Sequence, residues 1–253
     1  MPFRSAMISV VIPTLNCEQS LAPTLAALIP AAVDGFVREV IVVDGGSTDR
    51  TLLVAENAGV DIIETSAGRG HQLRAGAKRA RFPWLLFLHT GTELAPGWDQ
   101  VAANFMVKVD TGRIPQSAAA FRFRLMDEGW RPRLVEQAVG LRCAILRLTC
   151  GDQGLLIPRG LYDQIGGFSE QSLMDDLDVA RRLGRRRLRI LAADALTSST
   201  GEARNGWAKR PLRNEACLAL YAAGFSPQRL AWMYPRAERN AAALDTRERP
   251  TLP

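Results

Sequence analysis

The sequence predicts an α/β fold: a mainly parallel central sheet with helices on both faces. Two observations lead there. Short apolar runs recur across residues 7–107 with helical patterns between them. These runs are apolar throughout rather than alternating, as strands covered on both faces are. The right-handed crossover rule then turns the repeated strand–helix–strand order into a doubly wound unit.

The elements follow in order. "ISVVIP" (8–13) reads as a buried strand and "EQSLAPTLAALIP" (18–30) as a helix. "EVIVVD" (39–44) is the second strand, and "DRTLLVAENAG" (49–59) a helix stopped by Gly59. "VDIIET" (60–65), "GHQLRAGAKRA" (70–80) and "WLLFLH" (84–89) supply a third strand, a third helix and a fourth strand. The second half changes character. Residues 121–125 alternate between apolar and basic, so 118–127 reads as a half-exposed, antiparallel strand. A helix is expected over 131–148, a strand at 154–158 and a short helix and turn at 159–168. "SLMDDLDVARRLGRRR" (172–187) is a helix with acids at its start and arginines at its end, as the helix dipole favours. "LRIL" (188–191) is a late strand, and 206–240 looks helical with a break at "GFSP" (224–227). The expected organisation is one domain over 1–240: a nucleotide-binding half at 7–107, an acceptor half at 108–205 and helices at 206–240. A tail follows at 241–253.

Composition narrows the function classes. The 253 residues are 47% hydrophobic, enough for one fairly large core. The net charge of +6 comes mostly from arginine, since Lys78, Lys108 and Lys209 are the lysines. No aromatic-and-basic stretch resembles an RNA-binding module, so nucleic acid is not an expected partner. Cys17, Cys143, Cys150 and Cys217 form no CxxC pair, and there are two histidines. Neither a zinc site nor a disulfide framework is expected, which suggests a reducing compartment. No leader or membrane-spanning run is evident, so the expected location is cytoplasmic.

Ligands of open parallel sheets bind at the carboxyl ends of the strands. The four strand ends here carry Pro13-Thr14-Leu15-Asn16, then Asp44-Gly45-Gly46-Ser47, then Gly68-Arg69-Gly70, then His89-Thr90-Gly91-Thr92-Glu93. A dinucleotide fingerprint needs its glycines after the first strand, where Pro13-Thr14 stands instead. No GxxxxGK[ST] loop occurs. Asp44 sits where a carboxylate can grip a ribose or base. Its alternative is a Gly45-Gly46 turn with Ser47 or Thr48 capping the next helix.

Taken together and in order, "ISVVIPTLN", "VIVVDGGSTDRT", "GRGHQLRAGAKRA" and "LLFLHTGTELAPGW" resemble the nucleotide-sugar half of family 2 glycosyltransferases. These are inverting enzymes of the GT-A fold. "CGDQGLLIPRGLYDQIGGFSE" and "LMDDLDVARRL" resemble the acceptor half of a small bacterial branch. The resemblance covers roughly residues 7–235. It implies that Pro13, Thr14, Asn16, Asp44, Gly45, Ser47, Gly68, Arg69 and Gln72 bind the nucleotide of a UDP- or GDP-sugar, with Asp49 supporting that loop. Arg69 would pair with the diphosphate, a match for a planar guanidinium. Asp176 would be the base that takes the acceptor's proton, with Asp175 as its neighbour. Their alternative is an acidic first helical turn. Asp152, Gln153 and Trp98 are candidate donor or acceptor contacts, with the core as the favoured alternative for Trp98.

The fourth strand end departs from the pattern. The family holds a divalent metal, Mn²⁺ or Mg²⁺, with an acidic DxD-type motif there. The close branch keeps a His, a small residue and an Asp. This chain has His89-Thr90-Gly91, leaving His89 and Glu93 as candidate ligands. A second reading follows: a nucleotide-binding or regulatory protein on a glycosyltransferase scaffold. "RRLGRRRLR" (181–189) and the aromatic residues of 207–235 allow a peripheral membrane contact and a lipid-linked acceptor.

Overall fold

The computed structural model describes residues 7–146, 149, 151–169 and 175–197. The expected helices of 206–240 and the tail lie outside these residues. The first half runs β1 (Ile8–Thr14), α1 (Glu18–Ala26), α2 (Ile29–Val33), β2 (Val37–Asp44), α3 (Thr51–Asn57), β3 (Asp61–Glu64), α4 (Arg69–Arg79) and β4 (Trp84–Phe87). Then come β5 (Thr92–Leu94), α5 (Trp98–Asp110), β6 (Ala118–Leu125), α6 (Trp130–Leu146), a 3₁₀ turn (Gly151–Gln153) and β7 (Leu155–Pro158). α7 (Arg159–Gln164), α8 (Asp175–Leu183) and β8 (Leu188–Thr197) complete the described chain.

Eight strands form one sheet in the order β3-β2-β1-β4-β7-β6-β8-β5. β1, β2, β3 and β4 pair in parallel, as the continuous apolar runs predict. β7 enters antiparallel to both β4 and β6, and β8 lies parallel to β6. The expected antiparallel strand at 118–127 is therefore antiparallel on one side and parallel on the other.

Every residue of β1 is buried, because helices cover both faces. On one face Val10, Ile12 and Leu86 pack with α1 and α5 residues such as Leu21 and Met106. On the other, Val11, Val43 and Phe87 pack with Leu73, Tyr162 and Val179 of α4, α7 and α8. Gly76 lets α4 press against β1: a Cβ there would stand 2.3 Å from Val11 Cγ1.

Two boundaries differ from expectation. The single helix predicted over 18–30 is two, ending at Ala26 and restarting at Ile29. Pro30 explains the break, since a proline ring collides with the carbonyl four residues earlier, that of Ala26. The short late strand runs on to Thr197, where its end pairs with β5. β5 itself is absent from the sequence reading. No helix among the described residues is long and apolar enough to cross a membrane.

Candidate active site

β1 and β2 run in register, so Thr14 lies opposite Asp44. Asp44 is fully buried, and its carboxylate is consumed by its own loop. Oδ1 accepts from Thr14 Oγ1 at 2.9 Å and from Ser47 Oγ at 2.6 Å. Oδ2 accepts from the backbone N–H groups of Gly46 at 2.9 Å and Ser47 at 2.7 Å. Gln72, buried on α4, donates from Nε2 to Thr14 O at 2.8 Å and Val43 O at 2.7 Å. A side chain on Gly45 would crowd that amide, with a Cβ 3.1 Å from Nε2. Asp44 and Gln72 thus brace the rim to which the sequence reading assigns the nucleotide. What reaches solvent is the loop itself. Asn16, exposed at φ +49°, accepts from Thr48 N at 2.8 Å, and its own N–H donates to Ser47 Oγ at 2.9 Å. Asp49 ties in the start of α1 by accepting from Glu18 N at 3.1 Å. Pro13 is buried behind them.

Gly68 and Arg69 open α4 at the same rim. Arg69 does not point into open solvent. Its Nη1 donates to Asp175 Oδ1 at 2.9 Å and to Asp176 Oδ2 at 2.6 Å, and its Nη2 to Asp176 Oδ1 at 3.1 Å. Residues 106 and 107 positions apart are joined in one bidentate ion pair with a second carboxylate attached. Both acids stand in the first turn of α8, with Asp175 buried and Asp176 partly exposed. Burial pushes the Asp175 carboxyl up to about 7, with Asp176 adding to the rise and Arg69 opposing it. Burial works against the charge on Arg69, but Asp175 and Asp176 outweigh it and raise the guanidinium above its usual range. The pairing leaves Arg69 Nε and Asp175 Oδ2 buried without a hydrogen-bond partner. Gly151 lies flat against the pair: a Cβ there would come 2.1 Å from Arg69 Nη2 and 2.6 Å from Asp176 Oδ2. A cavity of about 10 Å³ beside it, with Leu73 and Leu88 in its wall, has room for about one water.

At the fourth strand end, His89 Nδ1 donates to Thr90 O at 2.6 Å. Gly91 has a left-handed φ of +86°, and its N–H donates to Thr24 Oγ1 at 3.0 Å. Glu93 passes into β5 and stands opposite Leu196 at the far edge of the sheet.

A family model for glycosyl transferase family 2 matches residues 9–162, more than half of the sequence. The chain belongs to that family. A relative in Mycobacterium tuberculosis, PGL/p-HBAD biosynthesis glycosyltransferase, is 38% identical over 95 residues, 32% of this chain and 34% of the relative. The match thus spans about a third of the length of the curated relatives. Among solved structures, glucosyl-3-phosphoglycerate synthase from Mycobacterium tuberculosis in complex with Mg²⁺ and uridine diphosphate has a TM-score of 0.57 at 20% identity, covering 78% of this chain and 72% of that one. Residues 1–349 of S. aureus TarS also score 0.57, at 17% identity, covering 90% and 69%. Identities this low speak for the fold alone, which is that of GT-A glycosyltransferases.

The family's divalent ion can be tested against the residues this member presents. Among the described residues, no three of His, Cys, Asp and Glu come together as a ligand group. His89 and Glu93, read from the sequence as ligands, do not complete a set, because β5 pairing with β8 commits Glu93 to the sheet edge. Gly91 offers no side-chain oxygen. The donors described here do not fit the oxygen-rich cage that Mg²⁺ or Mn²⁺ prefers.

Two more sequence candidates change role. Trp98 is a core residue rather than a sugar contact: it is 3% exposed and packs edge-to-face on Phe36 and Phe121, with centroids 5.7 and 6.0 Å away. Gln153 is buried, donating from Nε2 to Phe121 O at 2.9 Å and accepting from Cys143 Sγ at 3.4 Å. It lines a separate cavity of about 390 Å³ with Arg122, Arg124, Glu136 and Cys143. Asp152 is half-buried, and its carbonyl accepts from Thr92 Oγ1 at 3.5 Å. The exposed arginines 185–187 sit at the end of α8 away from Asp175. The sequence reading missed the pairing of Arg69 with the acids and the contact of Gly151 with both. The glycines flanking Asp152 and Gln153 were its only signal.

Proposed function

We propose that this family 2 member transfers a sugar from a UDP- or GDP-sugar to an acceptor hydroxyl, with inversion. The observation that carries the reading is the Arg69–Asp176 pair. It joins the rim of the parallel half to a carboxylate from the acceptor half, where a sugar held between the two would react. The exposed loop of Asn16 and Thr48 receives the nucleoside, with Asp44 and Gln72 holding its shape. The acceptor oxygen bonds to the anomeric carbon from the face opposite the nucleotide. Its proton passes to Asp176 as the bond from the anomeric carbon to the phosphate oxygen breaks, and the nucleoside diphosphate leaves with the electron pair. The family's divalent ion would neutralise that leaving group; the residues described here supply no cage for it, and no step is routed through one. The UDP recorded with the solved synthase supports a uridine donor.

Calorimetry with a panel of nucleotide sugars tests the reading, and binding to none of them would overturn it. The regulatory alternative draws on Gly91, where the expected acid is missing. Donor hydrolysis or transfer by the wild type that disappears in Asp176→Asn would dismiss it.

A further inference from the structure

We infer that Arg69 is the exchangeable cation of this site: the donor's diphosphate draws it away from Asp176, so the base is released only when a donor is in place. The inference rests on the transferase reading above. It begins from a conflict in the geometry. A carboxylate clamped by a bidentate guanidinium is a poor proton acceptor, since a neighbouring cation favours its ionised form. As it stands, Asp176 gives both oxygens to Arg69. The proposed base is therefore quenched by the residue that opens α4 at the nucleotide rim.

Two features leave this pairing of Arg69 incompletely satisfied. One guanidinium faces two carboxylates, one of them almost fully buried. Arg69 Nε and Asp175 Oδ2 are buried without partners, a cost an alternative arrangement can relieve. A diphosphate can accept a guanidinium through two oxygens, as a carboxylate does, and it carries more negative charge. The need for such a cation is also specific to this chain. The described residues bring no three-ligand group together at the strand ends, and Gly91 stands where the close branch has its acid. With Arg69 moved to the phosphates, the charge that develops on the leaving group is met by the same group whose departure frees Asp176.

The exchange makes Asp176 and the diphosphate competitors for one cation, which gives an unusual signature. Removing the proposed base should tighten product binding. Calorimetric titration with UDP, with GDP as the second probe, is run on the full chain in EDTA and in Mn²⁺. Asp176→Asn is expected to bind about fivefold to tenfold more tightly than the wild type. Arg69→Ala is expected to bind at least tenfold more weakly, Arg69→Lys to recover part of that loss, and Asp176→Asn to change nothing in the Arg69→Ala background. Melting curves confirm that each variant is folded. Unchanged or weaker UDP binding in Asp176→Asn overturns the exchange. A tenfold or larger gain in wild-type affinity on adding Mn²⁺ overturns Arg69 as the site's cation while leaving the transferase reading intact. If wild type and Asp176→Asn both bind no nucleoside diphosphate, the transferase reading and this inference fall together.

Discussion

The two ends of the candidate site are built on opposite principles. At the end of β2, Asp44 is as buried as Asp175, yet each of its oxygens has two donors, from side chains and backbone within one loop and its neighbouring strand. At the start of α8, Asp175 keeps one oxygen without a donor, and Arg69 leaves Nε unpaired. A fully satisfied polar network rigidifies its surroundings, whereas a buried group without a partner is costly. The parallel half thus presents a preset rim, and the exchange proposed for Arg69 would act at the less satisfied end. Gly45 and Gly151 express the same contrast. Each is a place where a Cβ does not fit, but Gly45 presses on the amide of Gln72 and Gly151 on the charged tip of Arg69.

The largest effect should come from the unsatisfied end. Asp176→Asn should lower the transfer rate by about 10²–10⁴-fold, the range for losing a general base, with the melting temperature nearly unchanged. Steady-state rates with a working donor check this, and a rate within a fewfold of wild type would mean that another group takes the proton. Next, Trp98→Ala should cost about 3–5 kcal/mol of stability, because it removes a buried aromatic from between Phe36 and Phe121. Denaturant unfolding measures that loss, and nucleotide affinity in the fraction that remains folded should not move. Asp44→Ala should cost about 2 kcal/mol by orphaning the donors around it, and should weaken UDP binding through a loosened loop. If UDP binding falls while stability stays constant, Asp44 touches the nucleotide after all.

A further expected effect is a pH dependence. Asp175 titrates near 7 in the folded chain against an ordinary 3.8. The folded state therefore holds a proton that the unfolded chain has released across that interval. Stability from this group is present below about 4 and falls as pH rises towards 7, then levels off. Asp175→Asn should remove that slope. Melting curves for both proteins between pH 5 and 8 compare them directly, and parallel curves would place the proton elsewhere.

Much of this was legible in the chain itself. Apolar runs without alternation specify strands buried on both faces, and β1 to β4 form where those runs lie. Strand ends mark a ligand rim, so the ordered motifs pointed to family 2 before any contact was known. Pro30 carries the helix break locally, although the periodicity around it hides the signal. What the sequence alone determined is thus most of the elements, the parallel pairing of the first half, and the residue types at the rim. The tertiary structure decided who pairs with whom. Asp44 turned inward because register sets Thr14 beside it and Gln72 reaches in from α4. Glu93 went to the sheet edge because β8 extends far enough to claim β5, and Trp98 joined the core because α5 carries it onto Phe36 and Phe121. Arg69 met Asp175 and Asp176 across more than a hundred positions because α4 and α8 pack on the same face of the sheet. Local pattern encodes period and polarity. Hydrogen-bond partners are fixed by the order in which strands and helices close, and no window of sequence contains that order.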